Sequence, residues 1–125
     1  MVTIANDFLT VKISRHGAEL TSIKDNLTGR ERLWQADPAV WGRHAPVLFP
    51  IVGALADNQY HYAGKTYHMG QHGFARDRDF TVLSATPFKA SFVLKDDDKT
   101  RAMCRLDQCP SDRTCHPCHR LFSHH

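Results

Sequence analysis

Hydrophobic and polar residues alternate with a period of two in the first part of the chain. Residues 8–14 are apolar at every second position, at Leu9, Val11 and Ile13. This alternation is typical of a strand with one buried face. Residues 18–25 predict a second strand that pairs antiparallel with the first, residues 26–29 have the composition of a turn, and a further strand is expected through residues 33–34.

The same pattern continues through the middle of the chain. Residues 60–69 predict a β-hairpin, and residues 80–83 and 91–95 predict two more short strands. Residues 46–53 are apolar on both faces but contain two prolines, so we expect an irregular extended segment buried against the sheet. No stretch has a sustained helical period. Turns every eight to twelve residues therefore predict an all-β sandwich.

Composition and charge narrow the class of protein. The chain has 125 residues, 42% hydrophobic and 23% charged, which predicts one globular domain with its own core. The net charge of +3 comes from interspersed signs, so we expect no nucleic-acid partner. No apolar run reaches membrane-spanning length, and the N-terminus lacks the pattern of a secretory signal. We expect a cytoplasmic protein without a membrane partner.

Three motifs are specific in combination. They are RHAPVLFPIVG at residues 43–53, YAGKTY at residues 62–67 and HGFARD at residues 72–77. Their order and spacing resemble the aldose 1-epimerase (galactose mutarotase-like) family. The similarity is strongest to bacterial members found in lactose and galactose operons, which are related to hexose-6-phosphate mutarotases, and it extends over about residues 7–103.

The resemblance implies a fold and an activity. The fold is the galactose mutarotase-like β-sandwich (supersandwich), of which residues 1–103 would form an N-terminal fragment. The activity is interconversion of the α and β anomers of a hexose or hexose phosphate, without a metal or another cofactor. Opening the hemiacetal needs a base for the anomeric hydroxyl proton and an acid for the ring oxygen, which suits a carboxylate and a histidine.

The resemblance also implies site residues. His72 matches a catalytic histidine near the ring oxygen, and Arg43 and Arg76 match positions suited to binding hydroxyls or a phosphate. Each has a simpler interpretation. A histidine before a glycine is often a turn residue, Arg76 lies in an alternating run of charges typical of a surface, and Arg43 could pair with an acid near Trp41.

Aromatic and acidic residues lead to further expectations. Four aromatic residues are expected in the core, although such rings also suit stacking under a sugar: Trp34, Trp41, Phe49 and Phe74. Glu19 and Glu31 are the two glutamates of the chain, and we expect both at the surface.

Residues 54–55 are Ala-Leu where galactose mutarotases carry Asn-Arg, so galactose specificity is not implied. Family members are more than twice as long, and the resemblance places the glutamate base and a second histidine after Met103, so this chain is expected to be inactive.

The last 22 residues differ from the rest. All four cysteines lie there, at Cys104, Cys109, Cys115 and Cys118. They could form a zinc site, but the five-residue link between the pairs is shorter than common zinc modules use. We favour an irregular tail over residues 104–125 that arises from a lost reading frame, since the family pattern stops at Met103.

Two other functions remain open on the sequence. One is a non-catalytic carbohydrate-binding module, and the other is a zinc-binding interaction protein that uses the tail. Strand edges left exposed by a shortened sheet also predict self-association.

Overall fold

The structure is a computed structural model that describes residues 1–104 and 120–124. Its strands are β1 Val2–Ala5, β2 Leu9–Ile13, β3 Leu20–Asp25, β4 Gln59–Tyr62, β5 Lys65–His68, β6 Thr81–Ala85, β7 Ala90–Leu94 and β8 Arg120–His124. The single described α-helix is α1, Asp98–Met103, and 3-10 turns form at Ala56–Asn58 and Ala75–Asp77. The strands form sheets in the orders β1-β2-β3, β4-β5 and β6-β7-β8.

The first sheet confirms the expected antiparallel pair. β2 pairs with β3, and β1 adds to the other edge of β2. The turn at residues 26–29 is also confirmed. The strand expected at residues 33–34 is wrong, because the ladder ends at a single bridge between Lys24 and Glu31. The Glu31 carboxylate accepts the backbone N–H groups of Ile23 and Leu33, so a side chain takes two donors that a longer ladder would use.

The hairpin predicted at residues 60–69 is confirmed as β4 and β5. Ala63 and Gly64 make its two-residue turn with φ of 49° and 75°, as a tight hairpin requires. The Tyr60 and Tyr67 rings stack across the pair with centroids 5.2 Å apart.

The third sheet includes the end of the chain. β6 covers one edge of β7, and β8 pairs antiparallel along the other edge. The sequence analysis expected an irregular tail over residues 104–125, whereas residues 120–124 form a strand. An open edge offers unpaired N–H and C=O groups, which recruit an extended segment even without alternating side chains. The boundary at Met103 and the lost reading frame stay predictions.

Helix α1 was not predicted, because six residues are too few to show a helical period. A capping box begins it: Thr100 N–H donates to Asp97 Oδ1 (2.7 Å), and Asp97 N–H donates to Thr100 Oγ1 (2.8 Å). No helix within the described residues is long and apolar enough to cross a membrane.

The core lies between the two three-stranded sheets. Its fully buried large side chains are Ile13, Phe80 and Phe92. Phe74 is buried as expected, and Phe49 packs against the core. The expectation for the tryptophans is wrong. Trp34 is 41% exposed and Trp41 is 49% exposed, because both lie in irregular segments outside the sheets.

Candidate functional site

An open cleft of about 380 Å³ lies beside the apolar segment at residues 46–53. Its lining combines apolar and polar side chains: Trp41, Pro46, Leu48, Gln71, His72 and Arg76. Small-molecule sites usually span roughly 300–1,000 Å³ and combine apolar walls with a few polar groups. The cleft has both properties.

Two irregular segments, residues 46–53 and 70–77, are joined by backbone hydrogen bonds to form the cleft. Phe74 N–H (2.9 Å) and Ala75 N–H (3.1 Å) both donate to the Phe49 carbonyl. Gly73 makes this contact sterically feasible, since its φ is 69° and a Cβ there would lie 2.2 Å from the Phe49 oxygen. The prediction of an irregular extended segment is confirmed, but its predicted burial is wrong: none of residues 46–53 is fully buried, and Val52 is 78% exposed.

His72 is held in one orientation by two bonds to the same residue. The backbone N–H of His72 donates to the Gly53 carbonyl (2.8 Å), and the backbone N–H of Gly53 donates to His72 Nδ1 (2.8 Å). Because Nδ1 accepts, the neutral ring carries its proton on Nε2. His72 therefore lines the cleft as an Nε2–H donor, and its φ of 64° shows that the turn is unusual for a residue with a side chain.

The Gln71 side chain lies next to this donor. Its amide nitrogen is 3.3 Å from His72 Nε2, which would place two donors together. Since the amide N and O positions are interchangeable by a half-turn of the group, the oxygen is the atom that matches an Nε2–H. The polar side of the cleft thus contains both donors and acceptors.

Arg76 lies at the same end of the cleft and is mostly buried, with 20% of its side chain exposed. Its Nη2 donates to the Gln71 carbonyl (2.9 Å). Its Nε is buried and has no hydrogen-bond partner among the described residues. Asp77 Oδ2 lies 3.8 Å from this atom, at the distance of an ion pair.

Arg43 does not line the cleft. Its Nη2 donates to Asp77 Oδ1 (2.7 Å), and Asp77 Oδ2 lies 3.8 Å from Arg76 Nε. The structure therefore brings His72 and Arg76 together in the cleft, and it connects Arg43 to them through Asp77.

Glu19 is a site-building residue that the sequence analysis missed. It was expected at the surface, and that expectation is wrong, since the residue is only 9% exposed. Its Oε1 accepts the N–H groups of His44 (2.8 Å) and Ala45 (2.9 Å), which fixes the segment that leads into the cleft.

Gly17 fixes the other segment of the cleft. Its φ is 70°, and a Cβ there would lie 2.8 Å from the Arg76 carbonyl oxygen. Its N–H donates to the Arg78 carbonyl (2.8 Å). The signal for both missed positions was the short motif Gly-Ala-Glu at residues 17–19.

The possible metal ligands are not gathered in the described part of the chain. Residues 1–104 and 120–124 contain no group of three or more His, Cys, Asp or Glu side chains that could hold an ion. Cys104 is buried against Met69 and Phe74. Cys109, Cys115 and Cys118 lie outside the described residues, so the zinc alternative stays a prediction.

The described residues form an all-β fragment with a histidine and an arginine in an open cleft. Comparison with known protein families identifies the family. The model of the aldose 1-epimerase family matches residues 1–102. The chain belongs to the aldose 1-epimerase family, which confirms the resemblance stated from its motifs.

Two of the proteins to which this chain is similar come from bacteria. It is 38% identical to protein LacX (chromosomal) of Lactococcus lactis subsp. lactis, over 75% of this chain and 33% of that protein. It is similar to a galactose mutarotase related enzyme from Lactobacillus acidophilus, with 55% identity, a TM-score of 0.80, and coverage of 81% of this chain and 34% of that one.

A second solved structure supports the same fold. The galactose mutarotase-like protein from Lactobacillus casei is 39% identical, with a TM-score of 0.80 and coverage of 82% of this chain and 35% of that one. The predicted all-β, mutarotase-like fold is thus confirmed. The chain spans about a third of the length of the relatives it matches.

Proposed function

We propose that this chain forms the sugar-binding wall of an aldose 1-epimerase-like isomerase that interconverts the anomers of a hexose or hexose phosphate. The observation that carries the proposal is His72, held by Gly53 as an Nε2–H donor beside Arg76. The exposed Trp41 side chain adds an apolar surface on which a sugar ring can stack.

The chemistry needs one acid and one base. A base removes the anomeric hydroxyl proton as the bond between C1 and the ring oxygen breaks, and the ring oxygen takes a proton from the acid. Rotation about the C1–C2 bond and the reverse proton transfers then close the other anomer. In this proposal His72 donates from Nε2 to the ring oxygen, which takes the place of the Gln71 amide now 3.3 Å away. The Arg76 guanidinium, which lines the same cleft, would bind a neighbouring hydroxyl.

Among the described residues, the cleft contains no side chain suited to act as the general base. Its lining residues in this part of the chain include no carboxylate. Glu19 is buried and already accepts two backbone N–H groups, and Glu31 is engaged at β3. We therefore expect these 125 residues on their own to bind sugar but to speed anomer exchange little.

Sugar binding tests the first part of the proposal. Titration with glucose, galactose and glucose 6-phosphate is followed by the fluorescence of the two tryptophans, since Trp41 lines the cleft. We expect saturable binding that is weakened about tenfold or more by His72→Ala. The matched control is His68→Ala, at an exposed histidine on β5 outside the cleft. Equal loss in both variants, or no binding of any sugar, would contradict the proposal.

Polarimetry tests the second part. Freshly dissolved α-glucose is allowed to equilibrate with and without the chain, and we expect nearly equal rates. Strong acceleration that His72→Ala abolishes would show that a base is present after all.

A non-catalytic carbohydrate-binding module is the second candidate, because the described cleft has binding groups and no carboxylate. The two functions can be distinguished with a full-length chain of this family in which residues 1–103 form the first segment. An isomerase site predicts fast anomer exchange that requires His72. A binding module predicts sugar binding with no exchange.

A further inference from the structure

Strand β7 is the central strand of the third sheet and lies between β6 and β8. Its sequence, Ala-Ser-Phe-Val-Leu, contains no charge, proline or glycine, and residues 90–93 are buried. Uncharged strands of this composition pair readily with copies of themselves when one edge is left open. Both edges of β7 therefore need a neighbour that prevents such pairing.

The two sides of β7 are protected in different ways. On one side is β6, an outer strand of the described sheet whose register shifts between Val82 and Ser84. A shift of this kind is typical of a β-bulge, which bends an outer strand and hinders pairing with another chain. On the other side, Ala90–Leu94 pair one to one with Arg120–His124 without any shift. Without β8, the sheet would end in a regular and uncharged edge.

We infer that β7 is a self-pairing edge and that β8 keeps the chain monomeric by covering it. When β8 leaves, β7 pairs with β7 of a second copy, antiparallel and about a twofold axis. This arrangement satisfies the N–H and C=O groups of both edges at once, since a twofold interface presents the same surface on each copy. The inference goes beyond the proposed function and is independent of it, because neither strand lines the cleft.

The test removes main-chain hydrogen bonds of β8 and keeps the chain at full length. Neighbouring residues of an antiparallel strand direct their N–H groups to opposite sides, so one of Leu121 and Phe122 donates toward β7. Replacing both by proline removes that donor and disfavours the strand. The matched control replaces both by alanine, which removes the same side chains but keeps both N–H groups.

Molar mass is measured by light scattering from micromolar to near-millimolar protein. We expect the wild type and the double alanine variant to remain at the mass of one chain, 14.2 kDa. Leu121→Pro/Phe122→Pro should rise toward twice that mass as its concentration increases, because the uncovered edges meet. An excess of a peptide with the sequence of residues 119–125 should return it toward the mass of one chain, since the peptide covers the edge again.

Hydrogen exchange of the β7 amides is a second readout. In the dilute proline variant these amides should exchange about tenfold or more faster than in the wild type, and protection should return as the dimer forms. In the wild type they should be protected at every concentration. The single variants Leu121→Pro and Phe122→Pro are milder and replace the double variant if it unfolds. The one that loses the N–H directed at β7 should dimerise more strongly than the other.

Four outcomes would overturn the inference. The proline variants could stay at the mass of one chain with β7 still protected, or the alanine variant could dimerise to the same extent. The proline variants could grow past the dimer, which a twofold pair of β7 edges does not permit. The wild type could lack protection at β7 or dimerise at micromolar concentration. All four leave the proposed sugar binding untested and unchanged, since that binding is measured separately at the cleft.

Discussion

The first sheet and the cleft obtain their shapes in different ways. In β1–β3 most residues have a cross-strand partner fixed by the antiparallel register. In the cleft the segments are irregular and are held by contacts between residues far apart in sequence. Phe49 meets Phe74, Gly17 meets Arg76, and Glu19 meets Ala45.

The two regions differ in how many contacts stabilise the local structure. A strand ladder is stabilised by many equivalent hydrogen bonds, so the loss of one side chain is tolerated. The cleft depends on a few close approaches, each of which requires one residue type. We therefore expect substitutions at those few positions to have larger effects than changes at the sheet and its turns.

The largest effect is expected at Gly73. Gly73→Ala puts a Cβ 2.2 Å from the Phe49 oxygen at a φ of 69°, so the two cleft segments must separate. We expect a loss of roughly 3 kcal/mol or more in the free energy of unfolding. Urea unfolding followed by tryptophan fluorescence measures it.

Gly64→Ala is the matched control for that change. Gly64 has a similar φ of 75° in the hairpin turn, but nothing lies within 4 Å of its added Cβ. Only the left-handed backbone penalty of about 1 kcal/mol should remain. Equal losses in the two variants would mean that the approach to Phe49 contributes nothing.

Glu19 is expected to have the next largest effect. Glu19→Ala leaves two backbone N–H groups without their acceptor, which should cost roughly 2–3 kcal/mol of stability and weaken hexose binding. Glu19→Gln keeps an acceptor oxygen, so it should restore most of both quantities. Chemical unfolding and sugar titration measure them, and a Gln variant as damaged as the Ala variant would show that the charge is what matters.

The sequence predicts the two regions unequally, and the reason is physical. Alternation is a local pattern, so it located β2, β3 and the β4–β5 hairpin. It failed at residues 33–34, where the Glu31 side chain takes backbone donors that a strand would use. It also failed at β8, because pairing with the open edge of β7 is a tertiary effect that local alternation does not reveal.

The cleft residues came from motifs rather than periodicity. The motif around His72 pointed to the histidine but not to its orientation, which depends on Gly53 nineteen residues away. Glu19 was assigned to the surface because its two acceptor bonds reach residues 25 and 26 positions later. Contacts of this kind follow from the folded arrangement and leave no regular spacing in the sequence.

A smaller effect is expected at the turn after β3. The Arg32 guanidinium lowers the pKa of Asp25 from 3.8 to about 2, and the Ser22 hydroxyl is the main cause that lowers the pKa of Glu31 from 4.5 to about 2. Both carboxylates bind protons more weakly in the folded state. Their stabilisation is therefore complete above about pH 4.5 and lost as the pH falls through about 2.

Urea midpoints between pH 5 and pH 2 test this. The midpoint should fall across that range, and Glu31→Gln should flatten the decline. Glu31 is exposed and Asp25 is only partly buried, so the change should stay smaller than those at Gly73 and Glu19. An identical pH dependence in wild type and variant would exclude the Glu31 contribution.

The most direct test of the central claim is the ¹⁵N spectrum of the His72 ring, recorded with and without glucose. The bond from Gly53 predicts that Nδ1 carries no proton and that the ring proton is on Nε2, and sugar binding predicts a shift at Nε2 with little change at Nδ1. A ring protonated on Nδ1, or a ring that does not respond to glucose at saturating concentration, would contradict the assignment of this cleft as a sugar site.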